Sequence, residues 1–168
     1  MMRKLARRMK TDMANLSAAF EQQLLADIPL TRTMQLRVAG WDGATLRLGA
    51  PLAPNINDKG CAFGGSLASL MTLAGWGVIV LKLRALDRAC DIYVRDSKIR
   101  YLAPVWTDLV AEARLAEGED WDGFLAGLAT RGRARLHVHC RVPLPDGGDA
   151  AVLEARFVAI AQKPDAVA

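Results

Sequence analysis

The chain has 168 residues, of which 52% are hydrophobic and 24% charged, proportions that fit one globular domain and exclude a disordered chain. The formal net charge is +4, but five of the 22 basic side chains fall within the first ten residues, which leaves 17 basic against 18 acidic side chains and a net charge of −1. The rest of the chain therefore lacks the positive surface that phosphate backbones require, and we expect no nucleic-acid partner.

The predicted elements begin with a basic N-terminal tail over residues 1–11. Apolar residues at four-residue spacing then predict an amphipathic helix from about Asp12 to Ala26, which Pro29 prevents from continuing. Alternating apolar and polar residues predict two short strands, at about 34–38 and 45–48. The turn at Asp42-Gly43 joins them as a β-hairpin.

A polar loop follows, and a helix that is apolar on every side is predicted from about Ser66 to Leu86. Its continuous apolar stretch, Leu67–Leu81, is shorter than the roughly 20 residues of a membrane span, and it contains Gly75 and Gly77 for close packing. We expect a core helix and no stable membrane insertion. Alternation then predicts four strands and one short helix. In chain order these are a strand Asp91–Leu102, a strand Thr107–Ala116, a helix Leu125–Thr130, a strand Gly132–Val142 and a strand Ala151–Ala161.

This order predicts an α+β domain over residues 12–162, with one antiparallel sheet curled around a long central helix and a C-terminal tail at 163–168. A single such sheet leaves its edges free, so pairing of two copies is expected. The three cysteines are odd in number and widely spaced, which favours a reducing, cytoplasmic compartment over a disulfide framework. No secretory signal, cofactor or metal is predicted.

The segment from Asn55 to Ser66 carries the strongest functional signal. A helix start presents unpaired N–H groups and the positive end of the helix dipole, and Gly64 and Gly65 would let a ligand approach those amides closely. Such a site suits a carbonyl oxygen that becomes an oxyanion during a reaction. The simpler interpretation is a tight turn that starts a helix, with Ser66 as its cap.

The sequence resembles the hot-dog-fold thioesterases, and most of all the acyl-CoA thioesterase domain that also occurs fused C-terminal to acetyltransferase domains. The resemblance covers about residues 16–161. Its most specific part is the run from the asparagines of the loop through Gly-Gly-Ser to Gly75-Trp76. The matching residues are Ala50–Asn57, Gly60, Phe63–Leu67, Ala74–Trp76 and Asp96–Val105.

The resemblance implies a hot-dog fold, a homodimer or dimer of dimers, and hydrolysis of acyl-CoA or acyl-carrier-protein thioesters with the carbonyl polarised by the Gly65 amide. In the wider family, an asparagine of the loop precedes a His-Gly-Gly step, and an acid lies on the central helix. Asn57 matches that asparagine, whereas Phe63 stands at the histidine position and Thr72 at about the position of the acid. Asp58, the only carboxylate of the loop, is the remaining candidate base.

These arguments give two sets of candidate residues. The catalytic set is Asn57, Asp58, Gly65, Ser66 and Thr72. The substrate-binding set is Asn55, Phe63, Gly64, Arg100 and Arg133, of which the arginines, together with Arg131, would contact the phosphates of coenzyme A. Each has a plainer interpretation: the asparagines order the loop, Asp58 and the arginines are solvated, and Thr72 bonds a backbone carbonyl. The acyl chain would lie beside the central helix, against Leu70, Met71 and Trp76.

Two other functions stay open. One is a non-catalytic acyl-CoA-binding or scaffold protein, which the missing acid favours. The other is a serine hydrolase, because Gly64–Ala68 approaches a Gly-x-Ser-x-Gly elbow and Ser66 precedes Asp108 and His137. The buried strand that such an elbow requires is missing. Cys61 would need a nearby base to act as a nucleophile, and His137 with His139 would need a third ligand to bind a metal.

Overall fold

The computed structural model describes the backbone of residues 2–162 and the side chains of residues 11–162. Its main elements are the helices α1 (Met2–Asp27), α2 (Pro29–Thr33), α3 (Gly64–Arg84) and α4 (Trp121–Arg131), and the strands β1 (Arg37–Trp41), β2 (Leu46–Ala50), β3 (Cys90–Tyr101), β4 (Leu109–Leu115), β5 (Arg133–Pro143) and β6 (Asp149–Ala161). The predicted C-terminal tail lies outside the described residues, as do the basic side chains of the predicted N-terminal tail.

The six strands form one sheet in the order β1-β2-β4-β5-β6-β3, and every neighbouring pair is antiparallel. The central helix α3 packs against β2, β3, β4, β5 and β6. This is the predicted architecture: an antiparallel sheet around a long central helix, the hot-dog fold.

Alternation along β5 separates the core from the outer face of the sheet. Leu136, Val138, Cys140 and Val142 are buried, whereas the basic side chains between them point away from α3, as predicted.

The core is tightly packed where α3 crosses it. A methyl group at Gly77 would lie 2.5 Å from Leu46 Cδ2 and 2.7 Å from the Phe20 ring. Burial raises the pKa of the Cys140 thiol to about 12.

Several predicted boundaries were wrong. The hairpin is confirmed, but β1 begins only at Arg37, because Met34 and Leu36 reach the core from the turn after α2 and not from a strand. The backbone of Gln35 has a positive φ of 54° in that turn. Helix α1 begins at Met2, and α4 begins at Trp121, where Asp120 Oδ1 accepts a hydrogen bond from Gly123 N–H at 2.7 Å.

Helix α3 begins at Gly64 and ends at Arg84, two residues earlier at each end than predicted. Its length and composition would allow it to cross a membrane, but 61% of its most apolar window is buried inside the fold, the environment of a core helix. Because α3 starts at Gly64, both glycines belong to its first turn.

Candidate active site at the start of the central helix

The loop before α3 is held by backbone hydrogen bonds. Asn57 N–H donates to Cys61 O at 2.8 Å, and Phe63 N–H donates to Asn55 O at 2.7 Å. Ala62 N–H donates to Val105 O at 2.8 Å, which ties the loop to the segment that follows β3. The helix start is therefore fixed in place by its surroundings.

The first amides of α3 are available to a ligand. Phe63 is the N-cap and makes no side-chain capping bond, and Leu67 N–H is the first to reach an acceptor, Phe63 O at 3.1 Å. Within the described residues, the N–H groups of Gly64, Gly65 and Ser66 have no acceptor. They combine three free donors with the positive end of the α3 dipole, the arrangement that binds anions and oxyanions.

Two aromatic side chains contact this first turn. The Tyr101 hydroxyl donates to Gly64 O at 3.0 Å, and its ring would lie 3.5 Å from a methyl group at Gly64. A methyl group at Gly65 would lie 2.3 Å from the Phe63 ring. The absence of a side chain at Gly65 thus leaves room for the ring of Phe63. Sequence reasoning gave Tyr101 no role, since its contact depends on where the end of β3 meets α3.

An exposed apolar cluster surrounds the helix start, and we call it the apolar rim. Its members each leave 52% to 61% of their surface exposed. They are Ile56, Phe63, Tyr101, Leu102 and Trp106. Exposed apolar groups concentrated at one place on a protein mark a ligand site or an interface between proteins. The three free amides lie beside the rim.

Asn55 lies inside the loop and not on its surface. Its exposed fraction is 2%, and its Nδ2 donates to Met34 O at 3.0 Å and to Pro51 O at 2.8 Å. Its Oδ1 is buried and has no partner among the described residues. These contacts join the loop to the turn after α2, whereas the substrate-binding role remains a prediction.

The side-chain amide of Asn57 is partly occupied by its own loop. Oδ1 accepts from Lys59 N–H at 2.8 Å, and Nδ2 donates to Cys61 Sγ at 3.2 Å. One Nδ2 proton and one Oδ1 lone pair are left for water or substrate. Asp58 pairs with Lys59 Nζ at 2.8 Å, with 79% of the Asp58 side chain exposed. To act as a base, Asp58 would have to leave that partner.

Ser66 is the third residue of α3 and not its cap, which corrects the turn interpretation. Thr72 lies seven residues after Gly65 on the same helix face, because side chains recur on one face at this spacing. Seven residues of helix span about 10 Å. Thr72 is therefore too far to touch a carbonyl held by the Gly65 amide of its own chain.

The two arginines proposed to bind phosphates do not meet. Both point to the outer face of the sheet, away from α3. Arg133 pairs with Ile160 at one end of the sheet, whereas Arg100 pairs with Val152, which in turn pairs with Arg141. Arg133 and Arg141 are eight residues apart on β5, about 26 Å along the strand. One ligand phosphate group cannot contact both arginines of the same chain.

The serine-hydrolase constellation is not assembled. Ser66 lies in α3, whereas Asp108 Oδ1 accepts from Leu52 N–H at 2.9 Å. His137 points outward from β5, and its Nδ1 lies 2.5 Å from Glu119 Oε1. Among the described residues, no group of three or more histidines, cysteines or carboxylates is arranged to hold a metal.

Of the three residues expected to line the acyl chain, Trp76 borders a cavity and the other two lie in the core. Leu70 and Met71 are fully buried in the core. Trp76 lines a cavity of about 660 Å³ between the second half of α3 and the start of β3. Its Nε1–H donates to Ile92 O at 3.2 Å, and its ring centroid lies 5.7 Å from that of Phe20.

Solved structures share this architecture. A protein of unknown function from Chlorobaculum tepidum is 28% identical, with a TM-score of 0.84, over 89% of this chain and 97% of its own. A "putative thioesterase" from Shewanella oneidensis is 30% identical, with a TM-score of 0.78, over 88% of this chain and 99% of its own. A Pseudomonas aeruginosa protein described as a probable thioesterase is 21% identical, with a TM-score of 0.72, over 86% of this chain and 95% of its own, and supports the fold alone.

The family comparison covers almost the whole domain. The family described as "Putative thioesterase (yiiD_Cterm)" matches residues 17–161, which include the loop, the diglycine and all six strands. The chain belongs to this thioesterase family.

Proposed function

We propose that this protein hydrolyses acyl thioesters carried by coenzyme A or by an acyl-carrier protein. The observation that carries the proposal is the pairing of three acceptor-free amides at the start of α3 with the apolar rim around them. A thioester needs both features: donors for its carbonyl oxygen and an apolar surface for its acyl group.

In the proposed reaction, the thioester oxygen accepts a hydrogen bond from Gly65 N–H, with Gly64 N–H beside it. Negative charge develops on this oxygen when water attacks, and the α3 dipole stabilises that charge more than the neutral carbonyl. The C–S bond then breaks, and the departing thiolate takes up the proton that the attacking water has lost, so a carboxylic acid and a thiol are formed. The remaining donor and acceptor of Asn57 suit it to orient the attacking water.

We further propose that the site is completed by a second copy of the chain. Strand β3 is twelve residues long and forms the edge of the sheet, and only β6 pairs with it among the described strands. Tyr93, Val94, Tyr101 and Leu102 leave 47% to 59% of their surface exposed along or just beyond this edge. A long edge strand that exposes apolar side chains at both of its ends can pair with another strand. Antiparallel pairing of two β3 strands would give a homodimer and bring Thr72 of one chain nearer to the other chain's site.

The test is a thiol-release assay with acyl-CoA substrates of increasing chain length, together with acyl-carrier thioesters. We expect turnover with at least one series, and sedimentation analysis should show a dimer at micromolar concentration. Binding of acyl-CoA without release of any thiol would establish the non-catalytic alternative. A monomeric protein that is fully active would refute the dimeric site.

A further inference from the structure

A second site lies at the rim of the outer face of the sheet, where β5 begins and β6 ends. A cavity of about 540 Å³ opens there, bordered by four arginines and an apolar floor. The arginines are Arg95, Arg131, Arg133 and Arg135, and the floor consists of Ala134, Val158 and Ile160. We call this set the arginine cluster.

Strand register and packing place these side chains together. Arg133 pairs with Ile160 and Arg135 with Val158, so two arginines stand beside two apolar residues of the neighbouring strand. Arg131 reaches the same place by folding back over α4, where its Nη2 would lie 2.6 Å from a methyl group at Gly127. The guanidinium of Arg131 therefore occupies the space beside Gly127 in this arrangement.

Within the part of the chain that the structure describes, no carboxylate lines this cavity. Elsewhere on the outer face, three arginines have acidic partners. Arg47 and Arg141 both contact Glu112, and Arg156 contacts Asp96. In the cluster, Arg131, Arg133 and Arg135 have no ion pair among the described residues, and Arg95 comes only within 3.9 Å of Asp96. Like charges held together without acids repel each other, and a bound anion would relieve that repulsion.

We infer that the arginine cluster binds the phosphates of a nucleotide. A guanidinium group can donate two parallel hydrogen bonds to a phosphate group, and the floor of Val158 and Ile160 offers an apolar contact for a planar base. The concave shape suits a small molecule better than the surface of a partner protein. Given the proposed thioesterase function, on which this identification rests, the ligand is the 3′-phosphorylated ADP portion of coenzyme A.

The cluster would serve the active site of the other chain in a dimer. Within one chain, the cluster and the diglycine lie at opposite ends of the sheet, since Tyr101 contacts Gly64 and Arg133 lies at the Cys90 end of β3. Antiparallel pairing of two β3 edges puts the Cys90 end of one chain beside the Tyr101 end of its partner. Because Arg131 and Arg133 lie at the end of the sheet, where α4 ends and β5 begins, the ligand can pass round the sheet to reach α3.

Direct binding tests the site independently of catalysis. We expect adenosine 3′,5′-bisphosphate to bind the wild-type protein in a calorimetric titration, and the Arg133→Glu/Arg135→Glu variant to bind it about tenfold or more weakly. The matched control is Lys98→Glu/Arg114→Glu, which makes the same charge change at exposed positions of the same face. Equal loss in both variants, no loss in the cluster variant, or equal competition by inorganic phosphate would overturn the inference.

Kinetics then connect the site to the substrate. The cluster variant should show a KM for acyl-CoA raised about tenfold or more, with kcat and the rate on the N-acetylcysteamine thioester unchanged. If the variant hydrolyses acyl-carrier thioesters more slowly but acyl-CoA at the wild-type rate, the site binds an acidic protein and the nucleotide assignment is wrong. If the wild type turns over no thioester yet binds the bisphosphate at the cluster, the proposed function fails while the nucleotide site stands.

Mixed dimers test the assignment to the partner chain. One chain would carry Gly65→Pro and the other Arg133→Glu/Arg135→Glu. If the cluster acts across the dimer, the intact diglycine of the second chain faces the intact cluster of the first, and the mixed dimer keeps the wild-type KM at about half the activity. A KM equal to that of the cluster variant would overturn the assignment.

Discussion

Replacing Asn55 by alanine separates a structural role from substrate binding. The change removes two hydrogen bonds from Nδ2, to the buried Met34 O and to the partly buried Pro51 O, and leaves both carbonyl groups without this donor. It also removes the buried Oδ1, which has no hydrogen-bond partner within the described part of the chain, and this removal raises the stability of the folded state. Each unsatisfied polar group costs about 1–3 kcal/mol when it is buried. The variant creates two such groups and removes one, so its free energy of unfolding should fall by about 1–3 kcal/mol.

For a domain of this size, that loss lowers Tm by roughly 2–12 °C. Thermal unfolding followed by circular dichroism measures it, and Asn57→Ala is the matched control. Among the described residues, the Asn57 side chain bonds only Lys59 N–H and Cys61 Sγ of its own loop, so its removal should shift Tm less. Well below Tm, the KM of Asn55→Ala should stay close to the wild-type value. An unchanged Tm with a raised KM would refute this account and place Asn55 at the substrate.

Two further changes probe side chains outside the helix start. Asp58→Asn should keep kcat within about tenfold of the wild-type value, because the exposed Asp58 carboxylate pairs with Lys59. Loss of a true general base lowers the rate by a factor of about 10²–10⁴. A loss of that size in the thiol-release assay would identify Asp58 as the base. Burial raises the pKa of Glu112, but hydrogen bonds from Arg47 and Arg141 outweigh burial and hold that pKa below its usual value. The resulting stability is present at neutral pH and is lost as the pH falls through the lowered pKa. Glu112→Gln should therefore lower Tm at pH 7 and have little effect on Tm in acid. An equal drop in Tm at both pH values would contradict this.

The periodic parts of the fold were predictable because their signals are local. Alternation along β5 identified its buried and exposed faces, and the apolar surface of α3 identified a central helix. The start of α3 was missed because glycine disfavours helix interiors, whereas Gly64 and Gly65 occupy the first turn, where no intrahelical N–H bond is required.

The candidate site was predictable only in part, since much of it depends on contacts between distant segments. The diglycine was found because residue type and position in the chain suffice for an anion-binding helix start. The Tyr101 contact with Gly64, and the separation of Arg100 from Arg133, follow from the pairing of β5, β6 and β3. No spacing within a single segment reveals such pairing.

The most direct test of the proposed chemistry compares Gly65→Pro with Gly65→Ala. Both substitutions place a carbon atom where the Phe63 ring now lies, but only proline removes the N–H group. Since Gly65 N–H has no acceptor within the described chain, its loss breaks no helical hydrogen bond, and thermal unfolding should confirm that both variants fold. We expect kcat for thioester hydrolysis to be about 10²–10³ lower in Gly65→Pro than in Gly65→Ala. Equal kcat values in the two folded variants would contradict the role of this amide.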